Sequence, residues 1–127
     1  WQRFLHLGKT FTYGILDAGI SVAEIVKYEF HQVLPLQQKL NTPLQLYRLV
    51  GPICHMGDTL YPAWRLPQLE KGDAIAIMDS GAYFSPEARA FSFPKPGIVG
   101  LNNRGESFMI RKSDTFESII QMDCLAE

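Results

Sequence analysis

The chain has 127 residues, of which 46% are apolar and 20% are charged, the composition of an ordinary folded domain. A chain of this length buries about two thirds of its surface on folding and supports one hydrophobic core. Its 12 basic and 13 acidic residues leave a net charge of -1, so no field of one sign favours nucleic acid or an anionic membrane surface as a partner.

The first half of the chain predicts two strands separated by a short helix. Residues 10–16 are rich in β-branched and aromatic side chains and end in the turn-forming Asp17-Ala18-Gly19, which indicates a strand. Ser21 and Glu24 have the spacing of a capping box, so a short helix or a single turn is expected there. Apolar and polar side chains alternate in residues 44–50, which is typical of a half-buried strand.

The second half begins with a predicted turn and a short strand. Residues 70–73 have the composition of a tight turn. The apolar stretch that follows, residues 74–79, indicates a strand that is covered on both faces. The longest apolar run of the chain, residues 74–78, lies in this stretch and is far too short to span a membrane.

The chain ends in a predicted hairpin and a predicted helix. Asn102-Asn103-Arg104-Gly105 separates two strand-like stretches, residues 97–101 and 106–112, and its Asn and Gly residues tolerate the positive φ of hairpin loops. Asp114 and Glu117 have the spacing of a capping box and predict a helix after the hairpin.

Many short strands, a few short helices and frequent turns predict an all-β fold, either a closed or partly open β-barrel or a sandwich, with one or two short helices. No linker, repeat or low-complexity tract divides the chain, so residues 1–127 are expected to form a single domain. The sequence starts at Trp1 without an initiator Met or a signal peptide, and we expect it to be a fragment of a longer polypeptide.

Residue types alone do not predict a complete active site. Cys54 and His55 are the residues of a thiol nucleophile and its base, but neighbours in an extended chain point to opposite faces, which favours a small buried hydrophobe as the role of Cys54. With Cys124 there are too few cysteines for a disulfide framework, and thiols in a reducing compartment are expected. His6 and His31 lack the spacing of metal ligands, so packing or surface roles are expected for them and no metal site is predicted.

A series of short segments, in order and spacing, resembles one enzyme family. The segments are Leu16-Asp17-Ala18-Gly19, Gly51-Pro52-Ile53-Cys54-His55-Met56-Gly57-Asp58-Thr59-Leu60, Leu66-Pro67-Gln68-Leu69-Glu70-Lys71-Gly72-Asp73, Asp79-Ser80-Gly81-Ala82-Tyr83, Phe93-Pro94-Lys95-Pro96-Gly97-Ile98-Val99 and residues 111–125. They resemble the C-terminal β-barrel domain of the pyridoxal-phosphate-dependent ornithine/diaminopimelate decarboxylases. The order of these motifs, rather than any single one of them, carries the resemblance.

The resemblance implies a fold, a cofactor and partners. Members of the family pair this domain, similar to the C-terminal domain of alanine racemase-type enzymes, with an α/β barrel that holds pyridoxal phosphate through a lysine. They are homodimers, and the cysteine loop of one subunit completes the active site of the other. This chain is then expected to be part of a cytoplasmic amino-acid decarboxylase. The cofactor is not expected to be held by this chain alone, nor is the chain alone expected to be active.

The resemblance also assigns roles to individual residues. Cys54 matches the cysteine that protonates the substrate carbon after carbon dioxide departs, and a thiol suits this task because it holds its proton at neutral pH yet releases it readily. Tyr83 matches a tyrosine whose hydroxyl donates to the cofactor phosphate, although an aromatic residue at a barrel end also commonly just packs. Asp58 and Gly81 match positions that shape the loop and the strand end.

The chain departs from the family at the substrate-binding position. His55 stands where the diaminopimelate enzymes have Glu and the ornithine enzymes have Asp to bind a distal ammonium, and an imidazole cannot balance that charge. We therefore expect a substrate with a neutral or anionic far end, or a His55 that faces away. The family's Arg-Pro-x-x-Tyr stretch has no clear match either, and only Lys27 and Tyr28 lie nearby.

Two other functions fit the sequence. The chain could be a free-standing β-domain that binds a small ligand or a protein without catalysis, or a racemase-type relative, although the Cys54 loop favours decarboxylation. If the α/β barrel is missing, apolar surface is left uncovered, so the isolated chain is expected to self-associate.

Overall fold

The computed structural model describes residues 3–6, 9–39, 41–91 and 93–124. The strands are β1 (Arg3–His6), β2 (Lys9–Ile15), β3 (Val33–Pro35), β4 (Leu44–Val50), β5 (Thr59–Pro67), β6 (Ile75–Ile77), β7 (Ile98–Leu101) and β8 (Ser107–Arg111). The helices are α1 (Ile20–Ala23), α2 (Phe84–Glu87) and α3 (Phe116–Ile120), and a 3₁₀ turn (Glu24–Lys27) follows α1. The chain divides into two compact units, residues 1–88 and 89–127, which are described separately.

The main sheet of the first unit has the strand order β1-β2-β4-β5. Neighbours pair antiparallel except β2 and β4, which run parallel. The sequence expectations for β2 and β4 are confirmed, and β4 buries Tyr47 and Leu49 almost completely. The buried apolar core lies in this unit, and its members are Ile20, Ala23, Val26, Val33, Tyr47, Leu49, Ile53, Leu60, Tyr61, Leu66 and Leu69.

The longest strand, β5, was not expected from the sequence. Its residues Pro62 and Pro67 are normally evidence against a strand, because proline has no N–H to donate to the neighbouring strand. In the structure β5 is an edge strand of the main sheet, and Pro62 lies where the register with β4 shifts between Tyr47 and Leu49. A sheet tolerates proline in an edge strand and at a bulge, and Pro62 occupies a position of this kind.

A second, two-stranded sheet pairs β3 with β6 in antiparallel orientation, with Val33 opposite Ile77. The strand expected over residues 74–79 is shorter, and its three residues are half-buried rather than covered on both faces. The preceding turn is confirmed: the Asp73 N–H donates to the Glu70 carbonyl at 3.1 Å, and the Asp73 carboxylate accepts from the Glu70 N–H at 2.7 Å.

A short helix after β2 is confirmed as α1, but the capping box expected from Ser21 and Glu24 is wrong. Gly19 is the N-cap residue, and it has no side chain that could cap the helix. The first N–H of the helix, that of Ile20, instead donates to the Asp58 carboxylate at 2.9 Å. A distant acceptor thus replaces the local one, and spacing along the chain cannot reveal it.

The second unit contains the hairpin β7–β8, as predicted. The Asn102 side chain accepts from the N–H groups of Arg104 and Glu106, both at 2.9 Å, and Gly105 takes a φ of 78°. The predicted helix is present as α3, but Thr115 and Ser118 form its capping box, not Asp114 and Glu117. The last residue of the family-like closing segment, Leu125, lies outside the described residues.

The prediction of a sheet-rich fold with short helices is confirmed. Among the described residues the strands form three separate sheets and no closed barrel. No helix in the described parts of the chain has both the length and the apolar character needed to cross a membrane.

Candidate functional site

The connection between β4 and β5, residues 51–58, is called the Cys54 loop here. Its ends are joined by the Gly51 N–H, which donates to the Asp58 carbonyl at 3.0 Å. The Asp58 carboxylate is buried and accepts the N–H of Ile53 at 2.9 Å from inside the loop. Its other oxygen accepts the N–H of Ile20 from α1. One buried carboxylate therefore closes the loop and ties it to α1, which agrees with a structural role for Asp58.

Two glycines are required by this arrangement. A Cβ atom built on Gly19 would lie 2.2 Å from an Asp58 carboxylate oxygen, and one on Gly51 would lie 2.4 Å from both carboxylate oxygens. The Gly51 position would also place a Cβ 2.4 Å from the backbone Cα of Gly19. The carboxylate reaches the two N–H groups only because both glycines leave room for it.

The tip of the Cys54 loop projects its side chains into solvent. Cys54 is exposed and has a free thiol, as Cys124 has in the second unit. Its neighbours His55 and Met56 are also exposed. The interpretation of Cys54 as a buried hydrophobe is therefore wrong, because the tight loop turns its side chain away from the core.

His55 folds back over its own loop. Its N–H donates to the Ile53 carbonyl at 2.8 Å, so the chain is bent here rather than extended, as assumed from the sequence. Its Nδ1 accepts the Gly57 N–H at 3.0 Å, and because a backbone N–H can only donate, the ring proton is on Nε2. Lys27, from the 3₁₀ turn, donates its ammonium to the Gly57 carbonyl. The Cys54 loop thus has an imidazole N–H at the position where the family has a carboxylate, and the Lys27 ammonium of the 3₁₀ turn binds the same loop.

Tyr83 lies in the segment that leads from β6 to α2, residues 78–84, called here the Tyr83 segment. It adopts a φ of 68° and is the N-cap residue of α2, where its carbonyl accepts the Glu87 N–H at 3.0 Å. The residue is 57% exposed. No hydrogen bond to its hydroxyl is found among the described residues.

Helix α1 connects the two segments. Its first N–H is bound by Asp58 of the Cys54 loop, and its residues pack against α2, which begins directly after Tyr83. The exposed thiol and the exposed phenol therefore belong to two segments that are fixed by the same short helix.

His31 was expected to have a packing or surface role, and the structure shows it to be buried against the Tyr83 segment. Its Nδ1 is 2.9 Å from the Met78 carbonyl, and its ring meets that of Phe84 edge to face at 5.0 Å. The Tyr61 hydroxyl donates to the His31 carbonyl at 3.1 Å, and burial raises the pKa of that phenol from 10.0 to about 12. No sequence motif singles out His31, because its hydrogen bonds are made to residues at least 30 positions away.

No cluster of three or more His, Cys, Asp or Glu side chains that could hold a metal ion occurs in the described part of the chain.

Comparison with known proteins identifies the family of this chain. Residues 7–81 match the family of the pyridoxal-dependent decarboxylase C-terminal sheet domain. The chain belongs to this family. The matched residues include Cys54 and His55 and end two positions before Tyr83.

Similar curated proteins are diaminopimelate decarboxylases. The chain is 31% identical over 93 residues to the one from Methanothermobacter thermautotrophicus, which covers 72% of this chain and 22% of that protein. It is 30% identical over 115 residues to the one from Archaeoglobus fulgidus, which covers 88% of this chain and 27% of that protein. The alignments therefore cover only about a quarter of the length of these relatives.

Solved structures agree with this assignment. The diaminopimelate decarboxylase from Helicobacter pylori, complexed with L-lysine, superimposes with a TM-score of 0.78 at 27% identity, over 96% of this chain and 29% of that one. The fold of this chain is thus that of the C-terminal sheet domain of the family.

Proposed function

We propose that this chain is the C-terminal domain of a two-domain, pyridoxal-phosphate-dependent amino-acid decarboxylase. Its relatives are about three times as long, which supports a further domain, an α/β barrel that holds the cofactor through a lysine. The enzyme is a homodimer in which the Cys54 loop completes the active site of the other subunit. In the complete enzyme the strands of this domain form a partly open barrel, in which β3 and β5 are not paired with each other.

The observation that carries this proposal is the Cys54 loop, which presents a free thiol to solvent on a turn tied down by a buried carboxylate. Pyridoxal phosphate, when bound, supplies the electron withdrawal that lets the substrate lose carbon dioxide. Cys54 then gives its Sγ proton to the substrate carbon, becomes a thiolate and regains a proton from solvent. A thiol held within a rigid loop keeps the orientation that proton transfer requires.

Tyr83 is the residue of this chain that contacts the cofactor. Its phenol O–H donates to a phosphate oxygen, a charge-assisted hydrogen bond of the kind that holds phosphate groups in protein sites. An exposed phenol on a segment packed against α1 supports this role, because the hydroxyl is reachable from outside the domain. The described residues thus fit the share of the cofactor site that this domain supplies, namely a proton donor and one phosphate contact.

The substrate has a neutral or anionic far end. L-lysine, which the Helicobacter pylori relative binds, carries a distal ammonium. In the Cys54 loop the His55 Nε2 carries a proton and the Lys27 ammonium lies at Gly57, so both groups are donors, and neither can accept from an ammonium. An uncharged or acidic group at that end of the substrate avoids the repulsion from Lys27.

A direct test uses the natural full-length protein that contains this chain. Release of carbon dioxide is measured from amino acids with cationic, neutral and anionic far ends, before and after the cofactor is removed and pyridoxal phosphate is added back. We expect turnover that depends on the cofactor and prefers neutral or anionic substrates. A full-length protein that binds no pyridoxal phosphate would contradict the proposal.

A further inference from the structure

His31 is a buried histidine that the proposed chemistry leaves without a task. Only 6% of the residue is exposed. It precedes β3, yet its Nδ1 atom and its ring contact the Tyr83 segment, one at each end of that segment. A polar ring at such a position suggests a role in fixing that segment.

The first contact fixes the start of the Tyr83 segment. The pairing of β3 with β6 continues one step beyond the strands through the Met78 N–H, which donates to the Gln32 carbonyl at 2.8 Å. There the backbone pairing ends, and His31 Nδ1 binds the Met78 carbonyl at 2.9 Å. A carbonyl can only accept, so Nδ1 is the protonated nitrogen and donates. The side chain therefore extends the ladder to the first residue of the segment.

The second contact fixes the end of the segment. The His31 and Phe84 rings meet at 5.0 Å with an angle of 81° between their planes, a favourable edge-to-face geometry. Phe84 directly follows Tyr83 and packs against the hydrophobic core. The imidazole thus holds Phe84, which directly follows Tyr83, and Met78, which lies five positions before Tyr83.

The segment between these contacts needs such support. Asp79 and Tyr83 adopt φ values of 56° and 68°, in the left-handed region that residues other than glycine seldom occupy. A tyrosine holds this conformation only where the surrounding structure enforces it. The His31 backbone is itself fixed, because its carbonyl accepts the buried Tyr61 hydroxyl.

We propose that His31 is a positioning residue that orients the Tyr83 phenol toward the cofactor phosphate. This inference rests on the proposed function, in which Tyr83 donates to that phosphate. His31 itself does not touch the cofactor. The His31 Nε2 has no hydrogen-bond partner among the described residues, and its nearest carboxylate oxygen, on Glu29, is 3.9 Å away. Since an unpaired buried nitrogen lowers stability, the ring is poorly explained as packing alone.

The test measures the dissociation constant of pyridoxal phosphate from the full-length apoenzyme, for Tyr83→Phe, His31→Leu and the double variant. We expect each single variant to weaken binding roughly tenfold or more, the change expected from losing one charge-assisted hydrogen bond. The double variant should be no weaker than Tyr83→Phe alone, because His31 acts through Tyr83. His31→Asn, whose amide nitrogen occupies the place of Nδ1, should restore most of the affinity.

Hydrogen exchange of residues 79–84 provides a second readout that does not depend on the cofactor. His31→Leu should speed exchange there, and His31→Asn should not. If His31→Leu does not fold, His31→Gln replaces it, since its longer amide cannot donate from the Nδ1 position.

Four outcomes would overturn the inference. The first is a His31→Leu protein whose affinity for pyridoxal phosphate and hydrogen exchange equal those of the parent protein. The second is a double variant in which the two losses of binding free energy add. In both cases the proposed function stands. An unchanged affinity in Tyr83→Phe overturns the phosphate contact and the inference together. A parent protein that binds no pyridoxal phosphate contradicts the proposed function itself.

Discussion

At the scale of single residues, the structure separates exposed side chains of the candidate site from buried side chains that hold their segments in place. Cys54, His55 and Tyr83 are exposed, whereas Asp58 and His31 are buried and hold the segments that carry them. Exposed groups are free to meet a substrate or cofactor, while buried polar groups repay their desolvation through hydrogen bonds to the backbone. The supporting residues are therefore as important to the proposed site as the ones that react.

His55 determines substrate preference in our account. His55→Glu would place a carboxylate beside the far end of the substrate, so the KM for amino acids with a distal ammonium should fall about tenfold, a common magnitude for a new charge-assisted contact. His55→Gln is the matched control, since it changes the ring without adding charge. Substrate preference that is the same in His55→Glu and the parent protein would contradict the account.

Tyr61 should produce a measurable alkaline pH dependence. Burial raises its pKa from 10.0 to about 12 in the folded chain, so the unfolded chain releases this proton first as the pH rises. The free energy of unfolding should therefore fall between about pH 10 and pH 12. Urea unfolding across this range should show a shallower fall in Tyr61→Phe. Tyr28→Phe is the control, because Tyr28 is 75% exposed, and it should show the same fall in unfolding free energy with pH as the parent protein. An equal fall in both variants would contradict the assignment to Tyr61.

At the scale of elements, the sequence predicted regular strands well and tertiary capping poorly. β4 and the β7–β8 hairpin follow alternation and turn chemistry that can be read locally. β5 was missed because Pro62 is normally evidence against a strand, and only the bulge on a sheet edge makes it acceptable. The start of α1 was misassigned because its acceptor, Asp58, is 38 positions away.

The same limit applies to the candidate site. The resemblance predicted Cys54, His55 and Tyr83, and their exposure is compatible with the proposed roles. It did not predict the Lys27 contact with Gly57 or the His31 contacts with the Tyr83 segment. These depend on how separate elements pack, and no spacing along the chain records that packing.

Asp58 should be the most sensitive position of the Cys54 loop. Asp58→Ala leaves the buried N–H groups of Ile20 and Ile53 without their acceptor, which should lower the free energy of unfolding by about 2–5 kcal/mol. Urea unfolding of the full chain measures this change. Asp73→Ala is the matched control, since that carboxylate also accepts a backbone N–H but lies in a surface turn, and its loss should be smaller. A loss for Asp58→Ala no larger than for Asp73→Ala would contradict the role of Asp58.

At the scale of the whole molecule, the chain leaves many large apolar side chains exposed. The exposed large apolar side chains include Tyr28, Phe30, Met56, Phe116 and Met122. Few folded proteins expose many such side chains without a partner to cover them. In our account the α/β barrel and the second subunit cover part of this surface in the complete enzyme.

The isolated chain should therefore self-associate. Light scattering coupled to size exclusion at micromolar concentration should give a mass above that of one chain, because uncovered apolar surface gains free energy from burial. The full-length protein is the control and should form a defined dimer. A monodisperse monomer of the isolated chain over the whole concentration range would contradict this expectation.

The two exposed cysteines allow the central claim to be tested within one molecule. Cys54 lies on the loop tied down by Asp58, and Cys124 lies in the second unit and has no role in the proposed reaction. The measurement is the kcat of carbon dioxide release by the full-length holoenzyme carrying either Cys54→Ala or Cys124→Ala. We predict that Cys54→Ala lowers kcat by about 10²–10⁴-fold with pyridoxal phosphate still bound, and that Cys124→Ala leaves it unchanged. A Cys54→Ala enzyme with the kcat of the parent protein would contradict the account.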